Sequence, residues 1–241
     1  MKFPFRILVH SRALLVAAAL ATGIAAAAHA ESLDAVMARM DQAAKSTKSI
    51  SADFTRTEYL AIFGDTDEAA GHMNLRRDGD QTKGVVNFTK PDEYAVYFPG
   101  GGKVEKLLPK AKLLEVYDLG SRGGLIDQYL LLGFANSAAE LRKDYEIALG
   151  GEETIGGKKT TRIELTPKNQ EVREQYFAKI EMWIPEGQAT ALQVKLTKPS
   201  KTSKADYYLF EYSNVKINPD LPKSAFELKV PKGVQRKEMK L

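Results

Sequence analysis

Chemically versatile side chains are few in this chain of 241 residues. Of its three histidines, His10 and His29 stand near the start and only His72 lies further on, and there is no cysteine. One histidine cannot serve both a nucleophile triad and a metal site, and no Gly-x-Ser-x-Gly elbow is present. Gly100-Gly101-Gly102-Lys103 lacks the Ser or Thr that follows the lysine of a phosphate loop, so it reads as a hairpin turn. Glu152 and Glu153 are adjacent in a glycine-rich stretch, where neighbouring side chains on an extended backbone point apart. A carboxylate pair assembled from distant strands stays open. His72, between Gly71 and Met73, reads as a solvent-facing or hydrogen-bonded strand residue. These types and spacings point away from an enzyme, a metal site or a cofactor, and towards binding.

The one charge with a defined setting is Lys90. Pro91 fixes its own φ and pushes Lys90 towards extended geometry. On either side, Gly84–Phe98 (GVVNFTKPDEYAVYF) reads as two short strands meeting at the corner Thr89-Lys90-Pro91-Asp92. Val86 and Phe88 share a face of the first strand, and Tyr94, Val96 and Phe98 share a face of the second. A single cation is thereby held between two apolar rows.

The elements that position this corner are mostly strands. Ser49–Tyr59 alternates Ile50, Ala52 and Phe54 against Ser51, Asp53 and Thr55, and Gly71–Arg77 carries Met73 and Leu75 on one face. Lys103–Leu108 and Leu113–Leu119 follow. From Tyr145 onwards further strands run through Thr161-Ile163-Leu165, Phe177–Ile184, Ala191–Thr197 and Tyr207–Tyr212, the last aromatic on both faces. Phe226, Leu228 and Val230 read as the terminal strand. Trp183, on the more polar face of its strand, fits an ordinary core residue, a surface aromatic or a cavity wall. About 10–11 strands with short turns predict a mainly β fold: a single, strongly curved antiparallel sheet, an unclosed barrel covered by short helices.

Three helices are expected. Ser32–Lys45 places Leu33, Val36, Met37 and Met40 on one stripe, with Ser32 as N-cap. Leu125–Ala135 is apolar over more than one stripe, with only Asp127 and Gln128 polar. It suits either a plug for the core or a lid whose surplus apolar surface faces a ligand. Ser137-Ala138-Ala139-Glu140 matches a capping box opening a short helix to about Lys143.

Residues 1–30 read as a secretory signal peptide, with Lys2, Arg6 and Arg12 ahead of the apolar stretch Ala13–Ala28 and cleavage after Ala30. Residues 31–241 are then expected to form one soluble domain in the periplasm. Without the first 30 residues, 32 basic residues face 31 acidic ones. That balance gives no basic stripe and no argument for nucleic acid.

Lys48-Ser49-Ile50-Ser51-Ala52-Asp53-Phe54-Thr55 resembles the first-strand signature of the LolA-like outer-membrane lipoprotein carrier family. Lys90-Pro91-Asp92-Glu93-Tyr94 is similar to its basic-Pro corner, and Phe226–Val234 to its terminal strand. The motifs occur in the expected order along nearly all of residues 31–241. The resemblance implies a half-barrel with an apolar cavity that takes lipoprotein acyl chains across the periplasm. Cargo would come from an inner-membrane ABC-type lipoprotein release complex and pass to an outer-membrane acceptor, with the carrier a monomer. The implied lipid cavity is lined by Phe54, Met73, Tyr94, Val96, Phe98, Leu125, Leu130 and Phe134, with Lys90 and Pro91 controlling lid and transfer. The chain departs from the family pattern at Arg56, where glutamine is frequent, at Lys90, frequently arginine, and at Pro109-Lys110, frequently Asp-Gly. A non-shuttling lipid- or protein-binding sensor or adaptor of the same fold is the alternative reading.

Overall fold

The computed structural model describes residues 31–79, 81–120, 123, 130–134 and 136–240. Alternation along the chain produces twelve strands in one sheet, in the order β12-β6-β5-β4-β3-β2-β1-β11-β10-β9-β8-β7. The first seven are β1 (Ser49–Leu60), β2 (Asp65–Asp78), β3 (Gln81–Lys90), β4 (Tyr94–Gly100), β5 (Lys103–Leu108), β6 (Leu113–Asp118) and β7 (Tyr145–Ile155). The others are β8 (Lys158–Pro167), β9 (Lys179–Pro185), β10 (Gln193–Thr197), β11 (Tyr207–Ile217) and β12 (Gln235–Met239). β1 sits mid-sheet between β2 and β11, while β7 and β12 are unpaired edges, so the barrel is not closed. Charge guards both edges: Arg236, Lys237 and Glu238 on β12, and Glu146, Glu152 and Glu153 on β7.

Curvature comes from irregularities in the ladder. The register shifts between Ser51 and Asp53 against β11, between Ala70 and Gly71 against β3, and between Leu149 and Gly151 against β8. Each extra residue bends its strand and increases local twist. Gly71 is required at its bend, since a β-carbon there would run into the Asn87 carbonyl and the Phe54 ring.

The concave face is filled unevenly. Helix α1 (Leu33–Ser46), capped by Ser32 Oγ accepting from the Ala35 N–H at 3.3 Å, buries Val36, Met37, Met40 and Ala44. Helix α2 (Ala138–Asp144) opens with the capping box formed by Ser137 and Glu140 and buries Leu141. Both pack over β8–β10, where Ile163, Leu165, Ile180, Met182, Ile184 and Val194 form a dense core. At mid-sheet a smaller cluster joins Ile50, Ala52, Met73 and Leu75 to Leu131 and Phe134. The third cluster lies on the opposite face of β3–β6, where Val85, Ala95, Leu107, Leu114 and Val116 are covered by Leu228 and Val234.

The terminal strand is not where the sequence places it. Lys223–Phe226 is a 3-10 turn, Leu228 packs face-on against the sheet, and Val230 is 46% exposed. Pro222 and Pro231 bracket this segment, and proline donates nothing to a ladder. It therefore crosses the outer face, and the chain returns as β12, parallel to β6, whereas the other pairings are antiparallel. Twelve strands replace the expected 10–11, and a short helix α3 (Gln170–Gln175), capped by Asn169, was not anticipated. Most of the expected Leu125–Ala135 helix lies outside the described residues; Leu131–Phe134 form a turn.

Candidate functional site

The unevenly filled concavity leaves an apolar cavity of about 290 Å³. Phe54, Met73, Val86 and Phe98, one each from β1 to β4, form one wall. Val194 and Leu196 of β10 with Phe210 and Tyr212 of β11 form the other, and Leu130 and Leu132 roof it. The pairings place these side chains on one face: Ala52 stands opposite Met73, Met73 opposite Val86, Val86 opposite Val96, and Phe54 opposite Tyr212. The roof is held down by Ala191, whose N–H donates to the Gly133 carbonyl at 2.6 Å, and by Phe134, edge-on to Tyr212 at 4.6 Å. Larger hollows, of about 460 and 540 Å³, lie beneath the C-terminal segment and beside the 199–206 loop, with many polar groups around both.

Of the residues expected to line a lipid cavity, Phe54, Met73, Phe98 and Leu130 stand in the wall of this one. Phe134 is buried beside it in the mid-sheet cluster. Val96 and Tyr94 share the inner face but lie outside the wall; Tyr94 stacks on Phe88 at 4.2 Å. Leu125 lies outside the described residues. Val194 and Leu196 alternate as one face of their strand but were not assigned to a cavity from sequence. Phe210 and Tyr212 lie in a strand aromatic on both faces, where alternation does not choose the inner one.

Polar residues ring the mouth. Arg56, two residues beyond Phe54 and directly opposite Phe210, has its guanidinium 5.6 Å from the centres of the Phe88 and Tyr208 rings. Its Nε is buried without a hydrogen-bond partner. Lys198 pairs with Glu58 at 3.1 Å and lies 4.4 Å from the Tyr208 ring centre. Lys106 lies 5.4 Å from the ring centre of Tyr94. Burial raises the pKa of the Tyr94 hydroxyl, although Arg56 beside it pulls the other way.

Apolar surroundings push the Tyr212 hydroxyl far above the ordinary tyrosine range. Above about pH 10 the unfolded chain releases a proton that folded Tyr212 still holds, so stability falls as pH rises. Tyr212→Phe should remove that share of the alkaline loss, as urea melts at about pH 9 and about pH 11 would show.

The expected control residues stand at the end of β3, two and three residues beyond Phe88. The Lys90–Pro91 bond is cis, and Lys90 is exposed without a partner among the described residues. Beside it Lys110 pairs with Asp92 at 2.6 Å. At the β1–β2 tip Ile62 and Phe63 are 86% and 78% exposed, next to Lys201 and Lys204 of the 199–206 loop.

On the outer face Asp53, His72 and Ser51 line up unexpectedly. His72 Nδ1 is 2.6 Å from Asp53 Oδ1, and its Nε2 is 3.2 Å from both Ser51 Oγ and Asn74 Oδ1. Asn214 also donates to Asp53 at 2.7 Å, and this bond, with the His72 contact, holds the Asp53 carboxyl below its usual range. Asp53 and Asn74 each place an oxygen against one ring nitrogen of His72, so both nitrogens are engaged within the strands. Ser51 is 7% exposed within a strand paired on both sides, which leaves little room for a substrate at its oxygen. The arrangement ties β1, β2 and β11 together. Trp183, 7% exposed, donates to Glu153 at 2.9 Å across the outer face of β7–β9, away from the cavity.

No family model matches the chain, and no curated protein does. Among solved structures, an uncharacterized conserved protein from Thermus thermophilus is similar over 87% of this chain and 100% of its own, at 14% identity and a TM-score of 0.53. A Vibrio parahaemolyticus domain named for outer-membrane lipoprotein sorting matches over 78% of this chain and 93% of its own, at 13% identity and a TM-score of 0.41. The Pseudomonas aeruginosa MucA/MucB complex matches over 81% of this chain and 61% of that chain, at 15% identity and a TM-score of 0.45. At such identities likeness speaks of fold and not of cargo. This chain, a curved and unclosed sheet with helices in its concavity, shares its fold with the Thermus thermophilus protein.

Proposed function

We propose that the chain is a soluble periplasmic carrier that shields the acyl chain of a lipoprotein or related lipid between the inner and outer membranes. The observation that carries this reading is the apolar cavity between two filled parts of the concavity. At roughly 30 Å³ per methylene-sized unit, 290 Å³ holds about ten. With about 0.8 kcal/mol for each, the gross gain is roughly 8 kcal/mol, near micromolar affinity before ordering costs. Such binding is strong enough to shield a chain and weak enough to release it.

The rim suits exchange at a membrane. Ile62 and Phe63 offer apolar side chains beside lysines, a combination that favours anionic bilayer surfaces. Replacing both (Ile62→Asp with Phe63→Asp) should weaken binding to phosphatidylglycerol vesicles by at least about tenfold in a flotation assay. In this reading Lys90 and Pro91 control transfer between an inner-membrane ABC-type release complex and an outer-membrane acceptor. Lys90→Leu should leave the melting temperature unchanged and slow donor-to-acceptor transfer severalfold in a reconstituted assay. Unchanged transfer removes that role.

A cavity sized for one chain also favours a second reading, a lipid- or protein-binding sensor or adaptor that does not shuttle. Depletion separates the two. Lipoproteins stranded at the inner membrane support the carrier; normal sorting supports the adaptor.

A further inference from the structure

Arg56 is out of place in an apolar concavity unless something answers its charge. Its strand neighbours on the same face are Phe54 and Glu58, and Glu58 is already engaged by Lys198 at 3.1 Å. No carboxylate lies within 4.0 Å of Arg56 or of Lys106 among the described residues. Asp67, opposite Glu58 on β2, is exposed further out on the rim. Phe88 and Tyr208 stand at equal distance from the guanidinium, and its Nε is buried without an acceptor. The Tyr94 hydroxyl accepts from the guanidinium, and Glu58 acts on it through space. Aromatic faces accept no in-plane hydrogen bond, so the planar fork, with more donors than Tyr94 can take, keeps some for an oxyanion.

The position of this cation relative to the cavity decides what would bring the oxyanion. Phe88 meets Phe54 edge-on at 5.1 Å, and Phe210, directly opposite Arg56, belongs to the cavity wall. A chain lying along Phe54 and Phe210 would end at the guanidinium. Resting on the acyl-binding reading, we propose that Arg56, framed by Phe88, Tyr94 and Tyr208, is the anion subsite of the cavity and takes the negatively charged head of a single-chain amphiphile. The volume sets the single chain, and a cation with no carboxylate in contact among the described residues sets the head. A carboxylate suits the fork, since it can accept two parallel N–H bonds. Lys198 and Glu58 balance each other, and Lys106 adds a second positive charge near the mouth, so net charge there favours entry head-outward.

Competition against a fluorescent fatty-acid probe tests this with laurate, dodecanol and acetate on the intact protein. Laurate should bind about tenfold tighter than dodecanol at low salt, the gap should narrow at high salt, and acetate alone should not compete. Arg56→Gln should bring laurate to the level of dodecanol and leave dodecanol unchanged, which also reports an intact cavity. Arg56→Lys should keep part of the preference. Equal binding of laurate and dodecanol by the native protein, or an equal loss of both in Arg56→Gln, overturns the subsite while leaving the acyl cavity standing. Competition by acetate at matched concentration also overturns it, in favour of a site for small anions. Failure of both long-chain compounds to bind removes the acyl-binding reading itself, and the subsite with it.

Discussion

Val86→Trp will weaken uptake of a fluorescent fatty acid roughly fifty-fold without unfolding the protein. Val86 is half-buried on β3, faces the cavity and stands between Met73 and Val96 in the ladder. An indole there replaces about three methylenes of ligand, worth about 2.4 kcal/mol at 0.8 kcal/mol each, and that difference is roughly fifty-fold. The ring has room because it grows into empty volume, so the usual overpacking cost of about 1–3 kcal/mol should be largely avoided. Probe titration and a thermal melt read the two halves of this expectation separately. Unchanged uptake would mean that fatty acid binds elsewhere; a large loss of stability would mean that the cavity is already filled.

Ile180→Ala will do the reverse. Ile180 is fully buried on β9, within the core that α1 and α2 close, and it pairs with Leu165 and Leu196. Truncation there leaves a void in a packed interior and should cost about 2–5 kcal/mol in denaturant melts. Val86→Ala, at a side chain that faces a hollow, should cost less than about 1.5 kcal/mol. The contrast between the two alanine variants measures the uneven filling of the concavity without any ligand. Equal losses at the two positions would contradict it.

Much of this was legible from period-two alternation. Ile50, Ala52 and Phe54 fall on the inner face of β1 as their spacing requires, and Ser137 with Glu140 forms the capping box its sequence spells. The C-terminal segment misled because Phe226, Leu228 and Val230 alternate like a strand. Alternation reports one buried face, and a segment laid flat on a sheet buries one face without joining the ladder. β12 was missed for the opposite reason: QRKEM is polar at nearly every position, as an exposed edge strand tolerates. The cavity wall on β10 and β11 needed the long-range pairing of β1 with β11, which no local pattern contains. Arg56 was visible as a departure from a family pattern, but its setting between Phe88 and Tyr208 depends on three strands meeting. Lys90 ends β3 as an exposed cation before Pro91, and the transfer assay on Lys90→Leu tests its role.

Native mass spectrometry of the protein, purified without detergent from the envelope of the cells that make it, tests the central claim most directly. The account expects an added mass corresponding to one acyl chain or one singly acylated species, removed by organic extraction and diminished in Val86→Trp. Bare protein in every preparation, together with no uptake of a fatty-acid probe by the purified chain, would contradict it.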